Sequence, residues 1–217
     1  NTVQGAFGYN LQYSSEMPAY ATGDLNNDGK GDIVFIEKGH SGNRYPGEII
    51  GHNSGTSLYR TAFNLTLPSS PDKVFVSDLN GNGLEDMMVI YSGGYTIFWN
   101  QGRITGTTFS DAKKTTGTSV SKVWMIRSGD FNGDGLMDIL MNSTGESSWY
   151  FALNNGNGTF TKSQACTLGL YDQSFTSKDD SRFDCLIYDF DLDGKSDVVI
   201  TTVSYTHLRA HETPEHL

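Results

Sequence analysis

Asp189-Phe190-Asp191-Leu192-Asp193-Gly194-Lys195-Ser196-Asp197 sets oxygen-bearing side chains at positions 1, 3, 5 and 9 of a nine-residue run, with glycine at position 6. Alternating carboxylates around a tight turn suit a hard, oxygen-preferring cation, of which calcium is the usual case. Gly194 fits a sharp bend, because glycine takes positive φ without steric cost. Three more runs follow the same grammar: Asp24-Leu25-Asn26-Asn27-Asp28-Gly29-Lys30-Gly31-Asp32, Asp78-Leu79-Asn80-Gly81-Asn82-Gly83-Leu84-Glu85-Asp86 and Asp130-Phe131-Asn132-Gly133-Asp134-Gly135-Leu136-Met137-Asp138. Their first residues recur 52 to 59 positions apart. A single run would pass for an acidic surface turn, since Asp, Asn and Gly dominate turns. Four in register are not explained by turn composition.

An EF-hand needs a bidentate Glu at position 12 between two helices. Position 12 here is Phe35, Val89, Met141 or Ile200, so that motif is excluded. Each run closes at position 9 and feeds an apolar segment: Ile33-Val34-Phe35-Ile36, Met87-Met88-Val89-Ile90, Ile139-Leu140-Met141 and Val198-Val199-Ile200. Short β-prone runs of this kind read as buried strands. Each motif is therefore a strand–loop–strand corner.

The rest of the chain agrees. It has 217 residues, 25 of them glycine, and no helical periodicity, which points to an all-β fold. Net charge is −10, yet twelve of the 25 acidic residues occupy the ligand positions of the four loops, and four Ca²⁺ would return eight charges. The acidity thus belongs largely to metal sites rather than to a basic partner. No basic patch suits nucleic acid, no apolar run suits a membrane helix, and no signal peptide is evident.

Strands are expected at Ala19–Thr22, Ile33–Ile36, around Glu48–Ile50 and over Leu58–Leu67. The next set is Lys73–Val76, Met87–Tyr91, Tyr95–Trp99 and, more weakly, Thr107–Phe109. A third set is Lys122–Ile126, Ile139–Met141, Ser148–Leu153 and a strand near Gln164–Leu168, before Phe183–Tyr188 enters the last loop. Four strands per unit of about 50 residues is the blade of a β-propeller. Residues 1–18, with Ala6-Phe7-Gly8-Tyr9, read as the end of a preceding blade.

Asp-x-Asn-x-Asp-Gly-x-x-Asp feeding an apolar strand, with Asn154-Asn155-Gly156-Asn157-Gly158-Thr159-Phe160 between, resembles the FG-GAP/VCBS repeat of integrin α propellers and secreted bacterial proteins. The likeness covers 19–202, with loops at 24–32, 78–86, 130–138 and 189–197. The literal Phe-Gly and Gly-Ala-Pro signatures are not clean, so a VCBS-type variant fits better than the integrin type. The resemblance implies a calcium site in each loop, up to four in all. Its ligands would be the side chains at positions 1, 3, 5 and 9 and the carbonyl at position 7. These are Asp24, Asn26, Asp28, Lys30 and Asp32; Asp78, Asn80, Asn82, Leu84 and Asp86; Asp130, Asn132, Asp134, Leu136 and Asp138; and Asp189, Asp191, Asp193, Lys195 and Asp197. Carboxylate count tunes calcium affinity, so loop four should bind tightest and loop two weakest.

Val203–Thr213 matches, codon by codon, the translation of a transposase sequencing adapter. Residues 203–217 are therefore set aside as a non-native read-through tail, a native polar tail being the alternative. On that reading the chain is a piece of a longer one. Three repeats and a partial fourth cannot close a ring and should form an open arc, lacking the other blades of the parent chain.

No catalytic constellation emerges. His207, His211 and His216 lie in the tail, while His40 and His52 sit in turn-rich context. No Ser occupies a nucleophile elbow. Tyr95, Trp99, Trp124, Trp149 and Tyr150 are read as core, with a sugar-stacking platform as the alternative. Cys166 and Cys185 lack zinc spacing and are either a disulfide or two buried thiols. Sequons at Asn64, Asn142 and Asn157 carry little weight. Weak calcium loops favour an extracellular setting, where millimolar calcium fills them.

The expected protein is a secreted or cell-surface, non-catalytic propeller scaffold for adhesion or assembly, with a protein or glycan ligand. Similar blades occur beside Rhs repeats in toxin shells of the insecticidal-complex type. The alternatives are a carbohydrate-binding propeller and an accessory part of a polysaccharide-degrading enzyme.

Overall fold

A computed structural model describes residues 18–38, 42–52, 58–102, 109, 113–121, 123–143, 149–165, 183–202 and 209–211. All regular structure among them is β. Sheet one comprises β1 (Ala19–Gly23), β2 (Asp32–Ile36), β3 (Arg44–His52) and β4 (Leu58–Thr66). Sheet two comprises β5 (Pro71–Ser77), β6 (Asp86–Tyr91), β7 (Gly94–Phe98) and β8 (Lys114–Gly117). Sheet three comprises β9 (Val123–Gly129), β10 (Asp138–Ser143), β11 (Trp149–Asn154) and β12 (Phe160–Lys162). The last sheet comprises β13 (Phe183–Tyr188), β14 (Asp197–Thr202) and β15 (Arg209–His211).

Within every sheet the strands follow chain order and pair antiparallel, so each sheet is a meander. Each acidic run joins the first strand of its sheet to the second. The register repeats across the sheets: Gly23, Ser77, Gly129 and Tyr188 pair with the ninth-position residues Asp32, Asp86, Asp138 and Asp197.

Side-chain alternation then decides how the sheets stack. Strand β6 is buried at every position. Met87, Val89 and Tyr91 join a core with Val34, Ile36 and Ile49 of sheet one. Met88 and Ile90, one step out of phase, join a second core with Ile139, Met141 and Ala152 of sheet three. Leu140, Trp149 and Phe151 turn the other way and meet Cys185, Val198 and Ile200 of the fourth sheet. Because successive strand residues point to opposite faces, an unbroken apolar run is required wherever both faces are covered. Sheets that stack face to face in sequence are propeller blades, and the described residues form three four-stranded blades and a three-stranded fourth.

Several expectations shift. The fourth strand of blade two is Lys114–Gly117 rather than Thr107–Phe109, most of which lies outside the described residues. Thr115 and Thr116 supply β-branched residues there, and a Lys-Thr-Thr-Gly run carries too little apolar signal to be picked out. In blade three the fourth strand is Phe160–Lys162, directly after the Asn-Gly turn, and Gln164 and Ala165 lie past its end. His52 closes β3 rather than sitting in a turn, while His40 and Cys166 fall outside the described residues, as does the segment 1–17. Arg209–His211 of the tail pairs with Val198–Ile200, although the sequence suggested no blade element there. An open strand edge offers main-chain hydrogen bonds that do not depend on side-chain identity, so even an ill-suited segment can add to it. Of the aromatic residues, Tyr95 and Trp149 are buried core and Tyr150 and Trp99 pack partly buried against it. Asn142 is buried within β10, which removes one sequon from the surface. No helix among the described residues is long and apolar enough to cross a membrane.

Candidate metal centre

The four loops share one hydrogen-bond pattern. The position-1 carboxylate accepts from the backbone N–H groups that follow it. Asp24 accepts from Asp28 (3.0 Å) and Gly29 (2.8 Å). Asp78 accepts from Gly81, Asn82 and Gly83, and Asp130 from Gly133, Asp134 and Gly135. Asp189 accepts from Asp193 (3.1 Å) and Gly194 (3.0 Å). The position-3 oxygen of Asn26, Asn80, Asn132 or Asp191 accepts from the N–H at position 5. The position-5 oxygen of Asp28, Asn82, Asp134 or Asp193 accepts from the N–H at position 7. Every side chain at positions 1, 3 and 5 is thereby turned inward along a single coil of backbone.

Glycine at position 6 takes the expected left-handed conformation, with φ of +80° at Gly29, +83° at Gly83, +84° at Gly135 and +89° at Gly194. Position 4 is left-handed too, at Asn27 (+56°), Gly81 (+74°), Gly133 (+78°) and Leu192 (+63°). The Asn/Gly/Gly pattern carried that signal; Leu192 broke it.

Position 9 is the keystone beneath each loop. Asp32, Asp86, Asp138 and Asp197 are buried, and each accepts from the position-2 N–H: Leu25 (3.0 Å), Leu79 (3.1 Å), Phe131 (3.0 Å) and Phe190 (2.9 Å). The second oxygen of Asp86 accepts from Asn100 N–H (2.8 Å), and that of Asp138 from Asn154 N–H (2.7 Å). Burial pushes both carboxyls up from 3.8 to about 6, against the lowering effect of the N–H groups they accept from and with a further raise from Asp78 on Asp86 and from Asp134 and Asp130 on Asp138.

In loop four the ligand oxygens of Asp189, Asp191 and Asp197 all lie within 4.8 Å of one another, the one such group of His, Cys, Asp or Glu side chains among the described residues. The other loops replace the position-3 carboxylate with Asn26, Asn80 or Asn132, and loop two also the position-5 one with Asn82, each keeping a neutral oxygen donor but less charge. An all-oxygen donor set gathered on a glycine-bearing coil fits a hard cation such as calcium.

Loops one to three are also tied to the blade that follows each, by residues the sequence reading passed over. Asn100 Nδ2 donates to the Leu25 carbonyl of loop one (2.8 Å) and to Glu85 O (2.9 Å). Asn154 Nδ2 donates to Leu79 O of loop two (3.0 Å) and to Met137 O (3.1 Å). Glu85, at position 8 of loop two, accepts from the Asp24 N–H of loop one. Ser196, at position 8 of loop four, accepts from Asp130 N–H (3.0 Å) and donates its own N–H to Asp130 O (2.7 Å). The signal was present as Asn-x-Gly after the third strand, in Asn100-Gln101-Gly102 and Asn154-Asn155-Gly156. Each Asn oxygen there accepts from the Gly N–H two residues on.

The family model for FG-GAP-like repeats matches residues 78–141 and again 130–200. The chain belongs to the FG-GAP-like repeat family. Among solved structures it is similar to an Agrocybe aegerita lectin, described in terms of specific recognition of non-reducing terminal N-acetylglucosamine. That likeness has a TM-score of 0.55 and 21% identity over 87% of this chain and 47% of the lectin chain. It is also similar to the Tc holotoxin pore of Photorhabdus luminescens, at TM-score 0.55 and 15% identity over 93% of this chain and 12% of that one. At these identities the likeness concerns the fold, and this chain spans less than half of either neighbour. No curated protein matches it.

Proposed function

We propose that this chain is a calcium-stabilised, non-catalytic propeller segment that serves as an interaction scaffold in a secreted or cell-surface protein. The observation that carries the reading is the fourfold repetition of one inward-turned oxygen set, densest at Asp189, Asp191, Asp193 and Asp197. Positions 1, 3, 5 and 9 of each loop would hold the ion, joined by the position-7 carbonyls of Lys30, Leu84, Leu136 and Lys195. Bound calcium neutralises carboxylates that otherwise repel one another within a single turn, so binding and folding are linked. Affinities of about 0.1–1 mM, typical of extracellular modules, suit that setting. The partner is a protein or a glycan. Likeness in fold to a toxin-complex component and to a lectin supports that breadth and no narrower choice.

A glycan-binding role is the second reading, favoured by the lectin's fold. Tyr95 and Trp149 are buried and do not offer stacking faces; among the described residues the exposed aromatics are Tyr20, Tyr188 and Phe190. Calcium titration into the EDTA-treated chain tests the first reading; saturable binding whose tightest site is lost on Asp189→Asn with Asp191→Asn supports it, and no binding at millimolar calcium overturns it. Binding on a glycan array that is lost in Tyr188→Ala would instead favour the second.

A further inference from the structure

Successive loops touch one another through residues that flank the candidate calcium ligands. The residue just before loops one and three is glycine, Gly23 and Gly129. A Cβ on Gly23 would collide with Val76 and Glu85, and one on Gly129 would lie 2.6 Å from Ile187 and 2.7 Å from Ser196. Glu85 and Ser196 are position 8 of loops two and four, and their side chains take the room that glycine leaves. Each then accepts the backbone N–H of position 1 in the loop before it. Glu85 accepts from Asp24, and Ser196 from Asp130 (3.0 Å). Ser196 also donates its own N–H to Asp130 O (2.7 Å), so the main chain of that residue is held at both ends.

Between loops two and three the same place is built differently. Ser77 stands before loop two and already carries a Cβ. Position 8 of loop three is Met137, which is 40% exposed and has no side-chain oxygen to accept an N–H. These two loops are joined at other points. Asn154 Nδ2 donates to Leu79 O (3.0 Å), and a Cβ on Gly81 would lie 3.5 Å from the Leu136 side chain. Leu79 and Gly81 are positions 2 and 4 of loop two, which carry no ligand.

Position 8 lies between two ligands of its own loop, the position-7 carbonyl and the position-9 carboxylate. An ion in loop four would fix Lys195 O and Asp197, and Ser196 between them. Ser196 in turn holds the main chain of Asp130, the first ligand of loop three. Resting on the calcium reading of the loops, we propose that Glu85 and Ser196 are positioning residues that couple calcium binding in pairs, loop one with loop two and loop three with loop four, with no such link between two and three. The coupling needs no change of fold. Ordering a coil costs conformational entropy, and a loop whose first ligand is already held loses less of it on binding. The help runs in both directions, as linkage requires. Loop two, the poorest in carboxylates, is thereby assisted by loop one.

Calcium titration of the EDTA-treated 217-residue chain tests this when followed by the amide NMR signals of Gly29, Gly83, Gly135 and Gly194, which read each loop separately. Disabling loop four with Asp189→Asn and Asp191→Asn should weaken loop three by about fivefold or more and leave loop two unchanged. Disabling loop one with Asp24→Asn and Asp28→Asn should weaken loop two to a similar degree and leave loop three unchanged. In a Ser196→Ala background, where the accepting hydroxyl is gone and every ligand remains, the loss of loop four should move loop three by about twofold or less. Thermal unfolding in EDTA checks that each variant folds; should the loop-four pair fail, Asp191→Asn alone reads the same coupling. Loops that fill independently overturn the proposal and leave the calcium reading intact. Equal weakening of all remaining loops, or a coupling that Ser196→Ala does not reduce, overturns it as well. No calcium-dependent shift in any loop overturns both.

Discussion

Among the described residues, Asp86 and Asp138 carry the clearest electrostatic tension, since burial outweighs the backbone N–H groups that favour their charge. Their carboxyls titrate near 6 when folded and near 3.8 when exposed. Between those values the folded chain holds more protons than the unfolded one, so the contribution of these groups to stability falls as pH rises. It is fully present below about pH 4 and lost above about pH 6. In EDTA, urea unfolding of the wild type should lose stability across that window more steeply than Asp138→Asn does; equal slopes would contradict the assignment. Leu192 shows strain of another kind. A β-carbon at φ +63° is disfavoured by about 1 kcal/mol, and the side chain is 80% exposed, so little packing offsets it. Leu192→Gly should stabilise the chain slightly or leave it unchanged, whereas Gly135→Leu at the equally left-handed sixth position should destabilise it by about 1–2 kcal/mol.

At the scale of the element, the repeated loop-and-strand corner was legible because both halves of its signal are chemical. Oxygen donors at alternate positions mark the loop, and the apolar run after position 9 marks a strand covered on both faces. Strands β13 and β14 follow the expected spans closely for that reason. The fourth strands were poorly legible because β8 and β12 sit at blade edges, half solvated, where Lys114, Thr115 and Thr161 satisfy the pairing as well as any apolar residue. The latches Asn100 and Asn154 were missed because a turn asparagine reads as turn chemistry alone. Their carboxamides instead bridge two blades, Asn100 through Leu25 O and Glu85 O and Asn154 through Leu79 O and Met137 O. Asn154→Ala should therefore cost about 2–3 kcal/mol by chemical denaturation, more than one ordinary hydrogen bond, since the buried bond to the Leu79 carbonyl and the part-buried one to Met137 are both lost. A cost under about 0.5 kcal/mol would show that water takes the amide's place. Loop occupancy follows charge: disabling each loop in turn by substitution at its first Asp should reveal loop four as the tightest site and loop two as the weakest.

At the scale of the whole molecule, the described residues share three cores between consecutive blades and carry four acidic coils aligned in the same register. A single four-stranded meander buries one thin layer, and it is the neighbouring blade that covers Leu25, Leu79 and Phe131. The calcium reading makes the coils a second source of cohesion, because the first three coils are hydrogen-bonded to the next blade at Asn100, Glu85, Asn154 or Ser196. Ions that fix the coils would then brace the arc as a unit. At 100 times its dissociation constant, one site contributes about 2.7 kcal/mol to stability. Differential scanning calorimetry in EDTA and in about 10 mM calcium tests this most directly, with the Asp189→Asn and Asp191→Asn double variant alongside. The account predicts a wild-type Tm that climbs with calcium by several degrees, a smaller climb in the variant, and no response to magnesium at the same concentration. A wild-type Tm that does not move with calcium would contradict it.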